Sequence, residues 1–380
     1  MVSQQAKRVS FLLFLLVLAF WFFRSTRKTG DKANGETATS SPASGRGSRE
    51  YSSSDRPTAG QPVPEEKLPL PPCWDGLLQL DENPQLGSLS EALRLAADDP
   101  LLIEYLEQRL SMLIGSDANT ALEVLRHATE AGPPLSAHLL SALKQSQAVH
   151  KPEIADKLVG LSLDEKAPLE TRKSALIALE TQHTLSASAR SRLHGLAMDE
   201  NSDEAAWLAT RAIGKVMTEE FQRAKNVAPY LSDLLDIGQH SGESAVRALA
   251  LEMPSYGNIP IDRSALAALS RVLSRDPDRS VREMAAMRMS LSADPKQALA
   301  LLAAAFETET DLCVKWAIFR FAVRAAGSSS LPTLQKMAVL EPRLKPDYDD
   351  FVAIYARGVV DFERVWQEKP QRMQCLDEEG

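Results

Sequence analysis

Six histidines, three cysteines and several dense acidic runs are the residues of this chain whose types invite chemistry. A metal centre needs such side chains in groups of three or four, and acid–base catalysis needs a titratable pair within hydrogen-bond reach. Neither pattern is written along the chain. His127, His138, His150, His183, His194 and His240 fall in different helices or loops, with no second His or carboxylate cluster at a three- or four-residue step. Cys73, Cys313 and Cys375 lack metal-type spacing. The run Asp199-Glu200-Asn201-Ser202-Asp203-Glu204 lacks the spacing and turn glycine of a calcium loop and reads as a solvated, helix-capping turn. Glycine-rich phosphate loops, nucleophile elbows and His-Glu-x-x-His helices are missing from the sequence. The expectation is a non-enzyme with no catalytic, metal or cofactor residues and no small-molecule substrate.

Recognition chemistry is better represented. Trp207 stands in the middle of the chain, and Trp316, Phe319 and Phe321 share one helix with Lys315 and Arg320. Large rings beside a guanidinium are the usual anchors of protein interfaces. Trp207, Trp316, Phe319 and Arg320 are therefore the candidate protein-binding residues, against the plainer alternative that the rings fill gaps between irregular helices. Nucleic acid is not expected, because the chain is net acidic at −8 and the excess lies after residue 67.

The elements that must position these residues repeat. An acidic turn, an aliphatic residue, a basic residue and a small residue recur between 151 and 330, the cleanest copy running from Asp276-Pro277-Asp278-Arg279-Ser280-Val281-Arg282 to Ala285. Aligned on the aliphatic–basic step, the copies stand at Thr171-Arg172, Leu208-Ala209, Val246-Arg247, Val281-Arg282 and Val314-Lys315, at intervals of 33 to 38 residues. Ala175, Ala212, Ala250, Ala285 and Ile318 follow four positions after each, and Asp164, Asp199, Asp236, Asp276 and Glu307 precede the second helices. Such a period predicts helical hairpins too small to bury their own apolar faces, which must stack on their neighbours. Before the repeats, Ser88-Leu89-Ser90-Glu91 reads as a capping box, Asp99-Pro100 and Asp117 open two further helices, and Leu135 to Ala148 forms another. Two helices are expected after Leu331, the second lined by Phe351, Ile354, Tyr355, Val359 and Phe362. No alternating run is long enough to demand a sheet.

These aligned residues resemble the HEAT-repeat family, an armadillo-like group of α-solenoids, over about half of the chain. The resemblance implies an all-α, right-handed solenoid of helical hairpins with a charge ladder between units. Arg172, Arg247, Arg282 and Lys315 would be the ladder cations and Asp164, Asp236, Asp276 and Glu307 their acidic partners, with Ala209 breaking one rung. It also implies an interaction scaffold. Some HEAT-like proteins resemble bilin lyases, which gives an alternative activity on a tetrapyrrole-carrying partner; a structural envelope protein with no dedicated partner is a further alternative.

Near the N-terminus, Val9 to Phe23 is apolar but for Ser10 and is flanked by Lys7, Arg8, Arg24, Arg27 and Lys28. As a helix it spans roughly 22 Å against a hydrocarbon core of ~30 Å, a gap that basic side chains can close by snorkelling. The run ends in Trp21-Phe22-Phe23-Arg24 with no small-x-small cleavage pair, so it reads as an uncleaved signal anchor. The expected plan is an anchor at 1–28, a disordered Ser/Pro/Gly-rich tether at 29–72, divergent hairpins at 73–150, repeats at 151–330, a helical cap at 331–368 and a polar tail at 369–380. The expected location is a single-pass membrane protein whose body is exported to a periplasmic or luminal side and meets a membrane-proximal protein partner.

Overall fold

A computed structural model describes residues 84–96 and 99–371, with Leu80 and Glu82. The apolar run 9–23, the tether 29–72, Cys73 and Cys375 lie outside the described residues. Of the described residues, no helix is long and apolar enough to cross a membrane.

Those residues fold as helices throughout: α1 (Leu86–Leu95), α2 (Pro100–Ile114), α3 (Ala118–Glu130), α4 (Leu135–Gln145), α5 (Pro152–Ser162), α6 (Leu169–Leu179), α7 (Ala187–Ala197), α8 (Asp203–Ala224), α9 (Ala228–His240), α10 (Ser244–Glu252), α11 (Arg263–Arg275), α12 (Arg279–Met289), α13 (Pro295–Thr308), α14 (Leu312–Ala326), α15 (Leu331–Leu340), α16 (Lys345–Ala356) and α17 (Phe362–Glu368). Extended pairing among them is limited to an isolated parallel bridge between Ile261 and Ser292. Aspartates start many of these helices by accepting backbone N–H groups that have no partner inside the helix. Asp99 takes Leu101 N and Leu102 N, Asp117 takes Thr120 N, and Asp278 takes Ser280 N and Val281 N. The expected capping box at Ser88 is displaced: α1 begins two residues earlier at Leu86, and the Ser90 hydroxyl bonds back to Leu86 O. The helix expected to reach Ala148 stops at Gln145 and gives way to a tight turn at Gln147–His150.

The packing is that of stacked hairpins. Helices α3, α5, α7, α9, α11, α13 and α15 pack each on the next, as do α2, α4, α6, α8, α10, α12 and α14, and each hairpin from α3–α4 to α15–α16 packs internally. Sequence periodicity explains this. In α11, Leu266, Leu269, Val272 and Leu273 form one buried stripe, while Arg263, Arg271 and Arg275 lie off it. Full burial of one leucine is worth about 1.5–3 kcal/mol, so a hairpin without its neighbours forfeits its main stabilisation. The residues at the aliphatic position of the repeat phrase, Thr171, Leu208, Val246, Val281 and Val314, are all buried, as are Ala175, Ala212, Ala250, Ala285 and Ile318 four positions on. The buried residues form two clusters. One runs from Leu86 to Ile259 and the other from Leu251 to Val365, and they meet at α9–α11.

A charge ladder joins the later units, but its acids are not the expected set. Arg247 makes a two-pronged bond to Asp276, with Nε at 2.9 Å and Nη2 at 3.0 Å, while its Nη1 donates to Ser241 O and Gly242 O at the end of its own first helix. Arg282 repeats this with Glu309 and with Asp276 O and Pro277 O. Lys315 reaches Glu341 at 3.4 Å. Arg247 and Arg282 thus clamp carbonyls of their own turn and a carboxylate of the following one. Each well-formed turn divides two acids between two tasks: Asp276 and Glu309 take the arginine, and Asp278 and Asp311, two residues later, cap the helix. Glu307 is exposed two residues too early, still inside α13. Asp164 takes Lys166 N instead of a guanidinium. Asp236 lies inside α9 and holds histidines. Arg172 bonds Ser162 O. At Ala209, where no cation is available, the neighbouring turns meet directly: Ser241 Oγ donates to Ala197 O, and a Cβ at Gly242 would come within 2.9 Å of Glu200 Cγ.

The C-terminal cap differs from expectation by one helix. Gly358, at φ 83, turns the chain between α16 and α17. Only glycine adopts that conformation freely. Lys369, placed in the polar tail on sequence, is buried and pairs with the equally buried Asp347, beside the rings of Phe351 and Trp366.

Candidate functional site

The candidate binding residues lie on two second helices, Trp207 on α8 and Trp316, Phe319 and Arg320 on α14. Trp316 and Arg320 lie one turn apart on α14, so their side chains overlap on one face. The Arg320 guanidinium sits 5.0 Å from the Trp316 ring and 4.8 Å from Trp366 of α17, and the two indoles meet edge to face at 5.7 Å. Cation–ring attraction of this kind holds a long side chain in one place. Trp316, Arg320 and Trp366 are half-buried, so the cluster is formed in advance and still reaches solvent. Phe319 does not share that face. It is 1 % exposed and packs against Phe351 at 6.1 Å. A ring so enclosed offers a partner nothing, and Phe319 is corrected from candidate anchor to core residue.

Trp207 on α8 shows the same device. Arg211, again one turn on, lies over the Trp207 ring at 5.4 Å and pairs at 3.2 Å with Glu180, the residue that follows α6. Burial pushes the Glu180 carboxyl above its usual range, against the pull of Arg211, and burial lowers Lys215 on the same helix. Lys215 stands 5.9 Å from the ring of Tyr256, whose hydroxyl donates to Glu252. Burial also raises both Tyr256 and Glu252. The structure brings Trp316 and Arg320 together and places Trp207 in a separate cluster three second helices earlier in the chain, on α8.

Three polar constellations were not foreseen. His194 Nε2 and His240 Nδ1 each lie 2.9 Å from one oxygen of Asp236. The four-residue step from Asp236 to His240 was a legible signal for half of it; the other half crosses from α7 to α9. His150 and His183 stack at 3.8 Å with nearly parallel rings, and burial, then the neighbouring His150, lowers His183 from its ordinary 6.5. Glu107 accepts from Ser141 Oγ at 2.6 Å and lies 2.8 Å from His138 Nδ1. No group of three His, Cys, Asp or Glu among the described residues has a geometry that would hold a metal. Cys313 is buried, with Arg279 Nη1 3.8 Å from its sulfur.

No family model matches the chain, and no curated protein matches it. Among solved structures, it is similar to the crystal structure of an engineered protein from the Northeast Structural Genomics Consortium, at 20% identity over 61% of this chain and 97% of that one, with a TM-score of 0.33. A likeness at that score carries no argument about fold or function.

Proposed function

We propose that this chain is a HEAT-like, right-handed α-solenoid that works as a non-enzymatic scaffold, tethered to a membrane through residues 9–23 and binding another protein through its second helices. The observation that supports the reading best is that α8 and α14 each present a tryptophan already stacked under an arginine and still half open to solvent. Preformed anchors of this type lose little side-chain entropy on binding. The ladder stiffens the stretch from Arg247 onward, where three successive units are tied to the next by an ion pair. An anchor and flexible tether would confine the body near a partner in the same membrane and raise its effective concentration there.

The test is photo-crosslinking in the native membrane, with the full chain carrying a crosslinking residue at position 211 or 320. A scaffold yields one reproducible adduct, and Trp316→Ala together with Trp207→Ala depletes it at unchanged helical content. A ladder of unrelated adducts, insensitive to both changes, would instead mark a structural protein with no dedicated partner.

A further inference from the structure

The large apolar side chains left exposed gather at the two ends of the stack. Leu95, Leu101 and Met112 stand bare on α1 and α2, with Leu101 78 % exposed. Val339, Leu340, Val352 and Val360 stand bare between α15 and the start of α17, with Val339 74 % exposed. From α3 to α14, among the described residues, only Leu169, Ile177 and Tyr256 are exposed in this way. A solenoid closed by its own caps turns a polar outer face to water instead. Helix α2 opens the row α2 to α14 and α15 closes the row α3 to α15, so each has a neighbour of its own row on one side alone.

The bare side of each helix is one stripe. Leu101, Glu104, Gln108 and Met112 follow at steps of three and four along α2, and Pro332, Lys336, Val339 and Leu340 do the same along α15. Each stripe sets one exposed charge among its aliphatics, acidic on α2 and basic on α15. Neither Glu104 nor Lys336 pairs with another described residue. Arg109, beside the α2 stripe, turns its Nη1 to Met112 Sδ at 4.0 Å. The acids of α16 do not offset Lys336: Asp347 is held by Lys369, Asp349 by Lys345, and Asp350 is half-buried and engaged.

We propose that the two ends bind each other between copies of this chain. The α2 stripe of one copy docks on the α15 stripe of a second, with Glu104 facing Lys336, and the stack of hairpins continues from copy to copy. The same ingredients join hairpins inside the chain, where buried aliphatics lie beside an arginine–carboxylate pair. Such a contact is heterologous: head meets tail, one free head and one free tail remain, and growth does not stop at two. Opposite charge sets the register and disfavours head on head, where Glu104 would meet Glu104. The contact is independent of the partner-binding reading, because it uses neither tryptophan cluster.

The experiment is sedimentation velocity of the full chain, one copy per lipid nanodisc, at rising concentration. The natural chain should form dimers and then larger species. Leu101→Lys spoils the head and Leu340→Glu spoils the tail; each should weaken association at least about tenfold, the worth of one buried leucine, at unchanged circular dichroism. Mixed together, these two variants should give dimers and nothing larger, because each supplies one intact end, and that rescue shows both to be folded. Glu104→Lys and Lys336→Glu should each weaken association, and the two combined in one chain should restore it. The proposal is overturned if the natural chain stays monomeric, the result expected where residues before 84 already occupy the α2 stripe. It is also overturned if the mixture stays monomeric, if Leu340→Glu alone still dimerises, which marks head-to-head contact, or if the charge swap restores nothing.

Discussion

The rung between Arg247 and Asp276 should carry a measurable share of the bond between successive hairpins. Their side chains are 11% and 8% exposed, and the arginine makes four hydrogen bonds, two to the carboxylate and two to carbonyls of its own turn. Replacing it with methionine keeps the stem and its packing but strands a buried carboxylate. Removing one member of a buried pair costs about 3–5 kcal/mol. Asp276 retains Asp278 N as a donor, so the low end, about 3 kcal/mol, applies here. Asp276→Asn should cost about 2 kcal/mol, because an amide oxygen still accepts one bond from the arginine. The double variant strands neither charge, so it should cost about 3 kcal/mol rather than the sum of the two, a coupling of about 2 kcal/mol. Urea unfolding of the four proteins, followed by circular dichroism, measures the cycle. A second expectation concerns cooperativity: the Arg247→Met transition should broaden, since the units it joins no longer melt together. An Arg247→Met cost under about 1 kcal/mol, or strict additivity in the double variant, would refute a structural role for the ladder.

Three further outcomes follow from packing and titration. A Cβ at Gly238 would stand 2.5 Å from Leu251 Cδ2, whereas one at Gly195 meets nothing within 4 Å. Gly238→Ala should therefore destabilise by about 1–2 kcal/mol after its gain in helix propensity, while Gly195→Ala stabilises by about 0.5–1 kcal/mol, both read from urea midpoints. His183 is lowered below its ordinary 6.5 by burial and by His150, so the stability it confers is present above that value and declines as pH falls through the depressed one. Melting temperatures from pH 7 to pH 5 should fall further for the natural chain than for His183→Gln, and parallel profiles would count against the stack. Lys369→Met should destabilise by about 3 kcal/mol, because it leaves Asp347 charged and buried, and adding Asp347→Asn should recover part of that loss in the same unfolding assay.

Hairpins and their order were legible because the repeat phrase is local. The helix start at Asp99-Pro100, the caps at Asp117 and Asp278, and the buried alanines after Arg172, Arg247 and Arg282 all follow from a few adjacent letters. Ladder pairing was not legible in the same way. A carboxylate at the right distance in sequence, Asp236 or Glu307, proved to face the wrong way or to sit two residues early, because loop length decides which acid faces the preceding unit. The stacked histidines and the Asp236 cluster join residues of separate helices, and spacing along one helix says nothing of them. Phe319 was misjudged for a related reason: it shares a helix with Trp316 and Arg320, but one position of rotation turns it to the core.

The division of the buried residues at α9–α11 has a mechanical consequence. The two oily interiors meet at a junction spanned by the 253–262 segment, by the packing of α10 on α12 and by the Arg247–Asp276 pair. A load carried from one half to the other has to pass through that ion pair and helix contact, so the Arg247–Asp276 pair sets how faithfully one half follows the other.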